Sequence, residues 1–475
     1  MKKRLISWLC VLTTVCSFVG FSSGCKDEAK WFMSTTAEYT ETEKGTPLPV
    51  YSRTYEFLGG SDVMPIGTYS GPASARSVGG VSVDSFITPE KFELIKATGV
   101  NFFSSTVDGA KDWNNMKRML ELGEEYGIGV FATDSSIGGL QNTNVMTTEL
   151  LNTRVQKYLD YDSFLGAELR DEPNAEHMKE LKKTLAAWRE SDLLDGYDMY
   201  YNALPDYATP DQLSGTLEQM EYEKYARLYI EHFDADYFSY DYYPFGKWGT
   251  IGKTYFENMG LVRNLCEEYQ IPFWTFIQCG ADWGYGWTEC IPETDGKFLW
   301  NVNTCLAYGA KGMQYFTLNQ WDGFLTESDS LSATRSGMFG AFGNINRWYY
   351  FAQKANKWIQ AIDHILMNSA NAGVIFHGKS PTYPSTGEEV LADGKFRQLT
   401  SVQGDDALVG CFDYYGATAL LVVNNSVKKD DAKITLTFDD VYGYEVYQRD
   451  TVTDIAGNAL QLKLDVGEAA LVVLK

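Results

Sequence analysis

Eight times between Met64 and Leu366, a short run rich in apolar and aromatic residues is followed by a stretch with helical periodicity, and few folds accept that alternation. The strand-like runs are MPIGTYS (64–70), NFFSST (101–106), GIGVFATD (127–134), FLGAELRDEP (164–173), DMYYNALP (198–205), YFSYDYYPF (237–245), PFWTFIQCG (272–280) and GMQYFTL (312–318). The helical patterns cover 88–99, 112–127, a stretch near 147–160, 175–191, 218–232, 253–269, 296–308 and 344–366. Thr88-Pro89-Glu90 is a helix start and Gly99 a stop. Eight strand-then-helix units predict an α/β fold closed as a (β/α)8 TIM barrel over residues 56–370, because a doubly wound sheet rarely needs so many.

From about Gly373 the period shortens. AKITLTF (432–438) sets Ile434, Leu436 and Phe438 against Lys433, Thr435 and Thr437, and LQLKLDVGEAALVVLK (460–475) begins the same way. With ALVGCFDYYG, TALLVVNNS and YEVYQRD these are strands at sandwich spacing, so residues 371–475 are expected to form a small antiparallel β-sandwich.

At the other end, Lys2, Lys3 and Arg4 precede an apolar run from Leu5 to Phe21 and the small residues Ser22-Ser23-Gly24 before Cys25. This pattern is a secretory signal, with an apolar run short for a transmembrane helix. It resembles a bacterial lipoprotein signal, departing at Ser22, where that family usually has Leu. The resemblance implies a cut after residue 24 and lipidation of Cys25. Residues 25–55, rich in Thr, Glu and Lys, then read as a tether from a cell-surface anchor.

Composition narrows the partners. A formal charge of −23 disfavours nucleic acid and anionic surfaces, so membrane contact is expected only through the N-terminal lipid. Cys266, Cys279, Cys290, Cys305 and Cys411 are scattered and odd in number, which is no disulfide framework. With four histidines and no CxxC, no metal site and no cofactor is expected. Aromatic residues make up 15% of the chain, a composition suited to stacking against sugar rings.

The run FLGAELRDEP carries the densest chemistry. As a regular strand it places Leu165, Ala167 and Leu169 on one face and Gly166, Glu168, Arg170 and Glu172 on the other. Glu168 and Arg170 are then expected to pair beneath Glu172, while Asp171 points toward the helices. Glycosidic cleavage needs a protonated carboxyl for the leaving oxygen and a second group at the anomeric centre. Glu172 suits the first role, its pKa raised by Asp171 and a water-poor strand end. The bland alternative is that Glu172 caps the following helix.

Asp171-Glu172-Pro173 at the fourth of eight strands resembles the large clan of retaining glycoside hydrolases that includes the β-galactosidases and agarases. The likeness covers about residues 60–370, and the sandwich is similar to an accessory domain many such enzymes carry. In that clan strand four ends in Asn-Glu, which implies Glu172 as acid/base and Asp171 at the sugar-contacting position. The clan's nucleophile is a Glu ending strand seven, where this chain has Gln278, unable to form a covalent intermediate. Three readings stay open. Asp241, Asp282 or Glu289 supplies the second group; Asp171 and Glu172 act as a pair resembling substrate-assisted hexosaminidases; or the barrel binds glycans without cleaving them. Asn202, Tyr240, Gln278, Trp283 and Trp321 are the candidate substrate-binding residues. The sequence therefore predicts a lipid-anchored, extracellular glycosidase acting on an oligo- or polysaccharide.

Overall fold

The computed structural model describes residues 47–104, 112–133, 146–215, 219–246, 250–280, 292–320, 336–378, 387 and 389–475. Strand β1 (Ile66–Thr68) is followed by a hairpin of β2 (Arg76–Val78) and β3 (Val81–Val83). Then come β4 (Phe102–Phe103), β5 (Gly129–Ala132), β6 (Phe164–Asp171), β7 (Asp198–Asn202), β8 (Phe238–Asp241), β9 (Phe273–Gln278) and β10 (Gly312–Phe316). All but the hairpin form one eight-stranded parallel sheet in the order β7-β6-β5-β4-β1-β10-β9-β8. Its two ends meet through a parallel bridge between Ala203 and Tyr240, where Ala203 N donates to Ser239 O at 2.7 Å. The sheet is thus a closed (β/α)8 barrel whose β7–β8 seam is fastened near the C-terminal ends of the strands.

The helices form where local signals and an apolar stripe agree. Helix Pro89–Ala97 has Thr88 accepting from Lys91 N, and Trp113–Tyr126 has Asp112 accepting from Asn115 N and stops at left-handed Gly127. Helix Ala175–Arg189 is capped by Asn174, whose side chain accepts from His177 N at 2.9 Å. That cap leaves Glu172 outside the helix start.

A mostly aromatic layer fills the barrel's lower interior: Tyr55, Phe102, Phe131, Tyr200, Tyr237 and Trp274, with Leu165 among them. Tyr237 stacks on Trp274 with centroids 4.1 Å apart. The chain preceding the barrel closes this floor. Arg53 Nε donates to Asp198 Oδ2 at 2.8 Å, and the Tyr55 hydroxyl donates to the same carboxylate. A buried carboxylate without such partners would be costly, so Arg53 and Tyr55 belong to the packed structure although their sequence surroundings read as tether.

Strand β6 departs from regular alternation twice. Between Val130 and Phe131 the partner steps from Phe164 to Gly166, and between Tyr200 and Tyr201 it steps from Glu168 to Arg170. The first bulge turns Leu165 into the barrel floor rather than onto the helix side with Ala167 and Leu169. Gly166 makes it possible: at φ +147° an added Cβ would lie 1.9 Å from Asp198 O. Gly166→Ala is expected to cost about 3 kcal/mol or more in stability, combining backbone strain with overpacking, readable in denaturant midpoints.

After the barrel come β11 (Ser369–His377), β12 (Leu399–Gly404), β13 (Ala407–Tyr414), β14 (Ala417–Asn424), β15 (Ala432–Phe438), β16 (Gly443–Gln448), β17 (Thr451–Ala456), β18 (Ala459–Leu464) and β19 (Ala469–Leu474). They build a six-stranded sheet, β11-β13-β14-β19-β16-β17, facing a three-stranded one, β12-β15-β18, in an antiparallel sandwich. Its own core includes Ile375, Val409, Leu420, Ile434, Leu436 and Val472. The other face of the larger sheet, with Leu408, Phe412, Leu421 and Leu471, joins the barrel's core. Trp300 Nε1 donates to Asn425 Oδ1 at 3.0 Å and Asn303 Nδ2 to Gly467 O at 2.8 Å, fixing this contact through helix Asp295–Ala307. Cys266, Cys279, Cys305 and Cys411 are buried free thiols, and Cys290 lies outside the described residues.

Candidate active site

The second bulge in β6 decides what faces the barrel mouth. Glu168 pairs with Tyr200 on the inner side, and its Oε2 accepts from Thr133 Oγ1 at 2.8 Å. Past the bulge, Arg170 pairs with the outward Tyr201, and its Nη2 lies 2.8 Å from His177 Nε2 on the following helix. The expected Glu168–Arg170 pair is therefore not made, because the extra residue puts the two on opposite sides of the sheet. The same phase change turns Asp171 inward beside Asn202 instead of toward the helices. Asp171 Oδ2 accepts from the Tyr69 hydroxyl at 2.9 Å.

Glu172 follows in a left-handed conformation, φ +45°, with its N–H donating to Asn202 O at 3.0 Å. A non-glycine residue in this region stores strain that its surroundings must hold. Asp241 ends β8, buried, with Oδ1 accepting from Asn202 Nδ2 at 2.9 Å. Asn202 is held in that sense by a one-way chain. The Tyr200 hydroxyl donates to Gln314 Oε1 at 2.7 Å, Gln314 Nε2 to Ser239 Oγ at 2.9 Å, and Ser239 Oγ to Asn202 Oδ1 at 3.0 Å. Each bond polarises the next toward the Asp241 carboxyl.

Desolvation, reinforced by repulsion from Asp171, pushes Glu172 up to about 7. Desolvation pushes Asp171 up to about 6 against the hydrogen bonds from Tyr69 and Asn202. Both side chains nevertheless stay open to water at the barrel mouth. Asp241 is raised well above the ordinary carboxylate value by burial first, then by the charges of Glu172 and Asp171. Mutual repulsion among the three carboxyls favours holding a proton within the cluster. The cluster can give that proton to a bound oxygen while a neighbour stays charged.

Aromatic rings border the carboxyls. Tyr69 lies 5.5 Å from Phe316 and 6.2 Å from Phe276, and Tyr243 lies 5.5 Å from Phe316, measured between centroids. No protein-family profile matches the chain, and no curated protein matches it. The structural likenesses are to glycoside hydrolases. A structure titled "Glycoside hydrolase" is 11% identical at a TM-score of 0.48, covering 87% of this chain and 92% of its own. A glycoside hydrolase family 5 protein from Bacteroides vulgatus has the same identity, score and coverage of this chain, with 89% of its own covered. An Anoxybacillus α-amylase is 11% identical at a TM-score of 0.46, covering 87% of this chain and 98% of its own. At this identity nothing about the reaction passes from them to this chain.

The remaining candidates divide. Tyr240 lies on the helix side of β8, fully buried in the outer core with Phe238 and Phe273 nearby, away from Asp241. It is a packing residue and not part of the mouth. Gln278 does end β9, but its side chain is engaged: Oε1 accepts from Phe245 N at 3.0 Å and Nε2 donates to Gly280 O at 3.4 Å. Trp283, Trp321, Asp282, Glu289 and Cys25 lie outside the described residues. Among the described residues, no group of three or more His, Cys, Asp or Glu side chains is arranged to hold a metal ion. The sequence reading missed Tyr69, Tyr200, Ser239 and Gln314; Tyr69 had a signal, since it closes strand one as Glu172 closes strand four.

Gln278→Glu tests how tightly that position is bound to structure. A carboxylate there would face Gly280 O with no proton to donate, so we expect a loss of about 1–3 kcal/mol at pH 8. At pH 5 the protonated acid restores a donor and the loss shrinks, a contrast that thermal unfolding at the two pH values measures.

Proposed function

We propose that this protein is a glycoside hydrolase of the cell surface, anchored through lipid on Cys25 and acting on an extracellular oligo- or polysaccharide. The observation that carries this reading is Glu172: a strained acid at the C-terminal end of the barrel's fourth strand, with two further carboxyls in electrostatic reach and a raised pKa. In the proposed reaction Glu172 gives its proton to the glycosidic oxygen as the bond breaks, which lowers the barrier to leaving-group departure. Asp241, two strands round the barrel and fed by the chain ending at Asn202, supplies negative charge for the oxocarbenium-like centre in the proton arrangement that leaves Glu172 protonated and Asp241 ionised. Once deprotonated, Glu172 can accept a proton from the incoming water. Tyr69, Tyr243 and Phe316 offer faces for the sugar ring.

The inward turn of Asp171 favours a second reading, in which the substrate's own 2-acetamido group attacks while Asp171 orients it. One screen separates these readings. The full chain is incubated with neutral β-linked oligosaccharides and with 2-acetamido glycosides, and released reducing ends are measured. Cleavage confined to 2-acetamido substrates selects the second reading. Binding without cleavage of any of them defeats both and leaves a glycan-binding barrel.

A further inference from the structure

Glu172 is restrained from both sides by groups that never reach the mouth. Before it, its own N–H is tied to Asn202 O. After it comes Pro173, whose carbonyl accepts from the Tyr225 hydroxyl at 2.8 Å. The same hydroxyl accepts from Leu204 N at 3.0 Å, one residue beyond the bridge that fastens the β7–β8 seam. Tyr225 sits on helix Tyr222–Phe233, fully buried, so no water replaces these bonds if the hydroxyl is removed. One phenol oxygen thus joins the chain leaving β6 to the chain leaving β7.

A left-handed glutamate persists only where its neighbours over-determine it. Without a fixed Pro173 carbonyl, the backbone at Glu172 is free to rotate and carry its side chain away from the barrel mouth. We propose that Tyr225 is a positioning residue for Glu172, its hydroxyl pinning the backbone just after the acid so that the carboxyl stays in the barrel mouth. This rests on reading Glu172 as the acid. Tyr225 touches no substrate, and removing its hydroxyl acts on the reaction only through Glu172. A control of like chemistry exists on other elements: the Tyr349 hydroxyl donates to Leu94 O at 2.9 Å between helices Arg347–Leu366 and Pro89–Ala97.

The test compares Tyr225→Phe and Tyr349→Phe in the full chain by carboxyl 13C NMR of glutamate-labelled protein, the Glu172 signal being assigned by its loss in Glu172→Gln. We expect Tyr225→Phe to lower the Glu172 titration midpoint as the carboxyl relaxes toward water, and Tyr349→Phe to leave it in place. In steady-state kinetics Tyr225→Phe should lower kcat about tenfold with KM changed less than about twofold, as for a misplaced acid. An unmoved midpoint, an equal shift in Tyr349→Phe, or a Tyr225→Phe chain that does not fold overturns the proposal. If the wild-type chain cleaves no glycoside while the midpoint still moves, the hydrolase reading fails and the Tyr225 assignment stands.

Discussion

Glu172→Gln is expected to lower kcat by about 10³-fold on any natural glycan that the wild-type chain cleaves, while the variant folds and binds that glycan with little change. The amide keeps the shape of the acid and removes its titratable proton. The loss should depend on the leaving group. A dinitrophenyl glycoside departs without protonation, so its cleavage should fall by about tenfold or less where bond breaking limits the rate. The acid's ionisation also sets a limb of the pH profile. With Glu172 held at about 7, wild-type activity should fall as pH rises through that value, and the limb should vanish in Glu172→Gln. Equal product formation by both proteins on a natural glycan would remove Glu172 from the mechanism. Thermal unfolding is the accompanying check, because the raised pKa means that the native fold disfavours the ionised carboxyl. A Glu172→Gln protein less stable than wild type at pH 8 would count against that account.

The barrel was legible because its signal is local. Each strand is short and apolar, each helix has its own stripe, and eight repeats leave few closures. The sandwich was legible for the same reason, through alternation such as Ile434, Leu436 and Phe438. The site was legible only in part. Glu172 stood out as an acid before Pro173, but the direction of Asp171 and Arg170 depends on bulges set by pairing with Gly129–Ala132 and Asp198–Asn202, far away in sequence. Gly166 was the one local hint, a residue without a side chain where a neighbouring backbone passes close. The outward direction of Tyr240 is legible in the sequence: with period two, an inward Asp241 requires an outward Tyr240. Arg53 and Tyr55 were hidden because a plug of single side chains has no periodicity. The chain from Tyr200 to Asp241 joins three strands, and its one trace in sequence is a polar Gln314 within GMQYF.

Asp241→Asn should separate the two demands placed on this cluster. Its activity is expected to fall by about 10³-fold, the scale on which removing a preorganised electrostatic group acts. Its stability should move the other way. A carboxyl whose pKa is raised on folding binds more protons native than unfolded, so its contribution to stability declines as pH rises from the unfolded value toward the raised one. Below the unfolded value that difference vanishes. For Asp241 the unfavourable contribution is absent near pH 3 and largest at alkaline pH, since burial and the charges of Glu172 and Asp171 all oppose its ionisation. Asn keeps the oxygen that accepts from Asn202 Nδ2 and carries no charge. Asp241→Asn should therefore gain in Tm relative to wild type as pH rises from 4 to 8, by about 2 °C or more at pH 8. A Tm difference independent of pH would mean that Asp241 is not held against its own ionisation. Lost activity together with stability regained at high pH would mean that this fold tolerates the carboxylate for its use in the reaction.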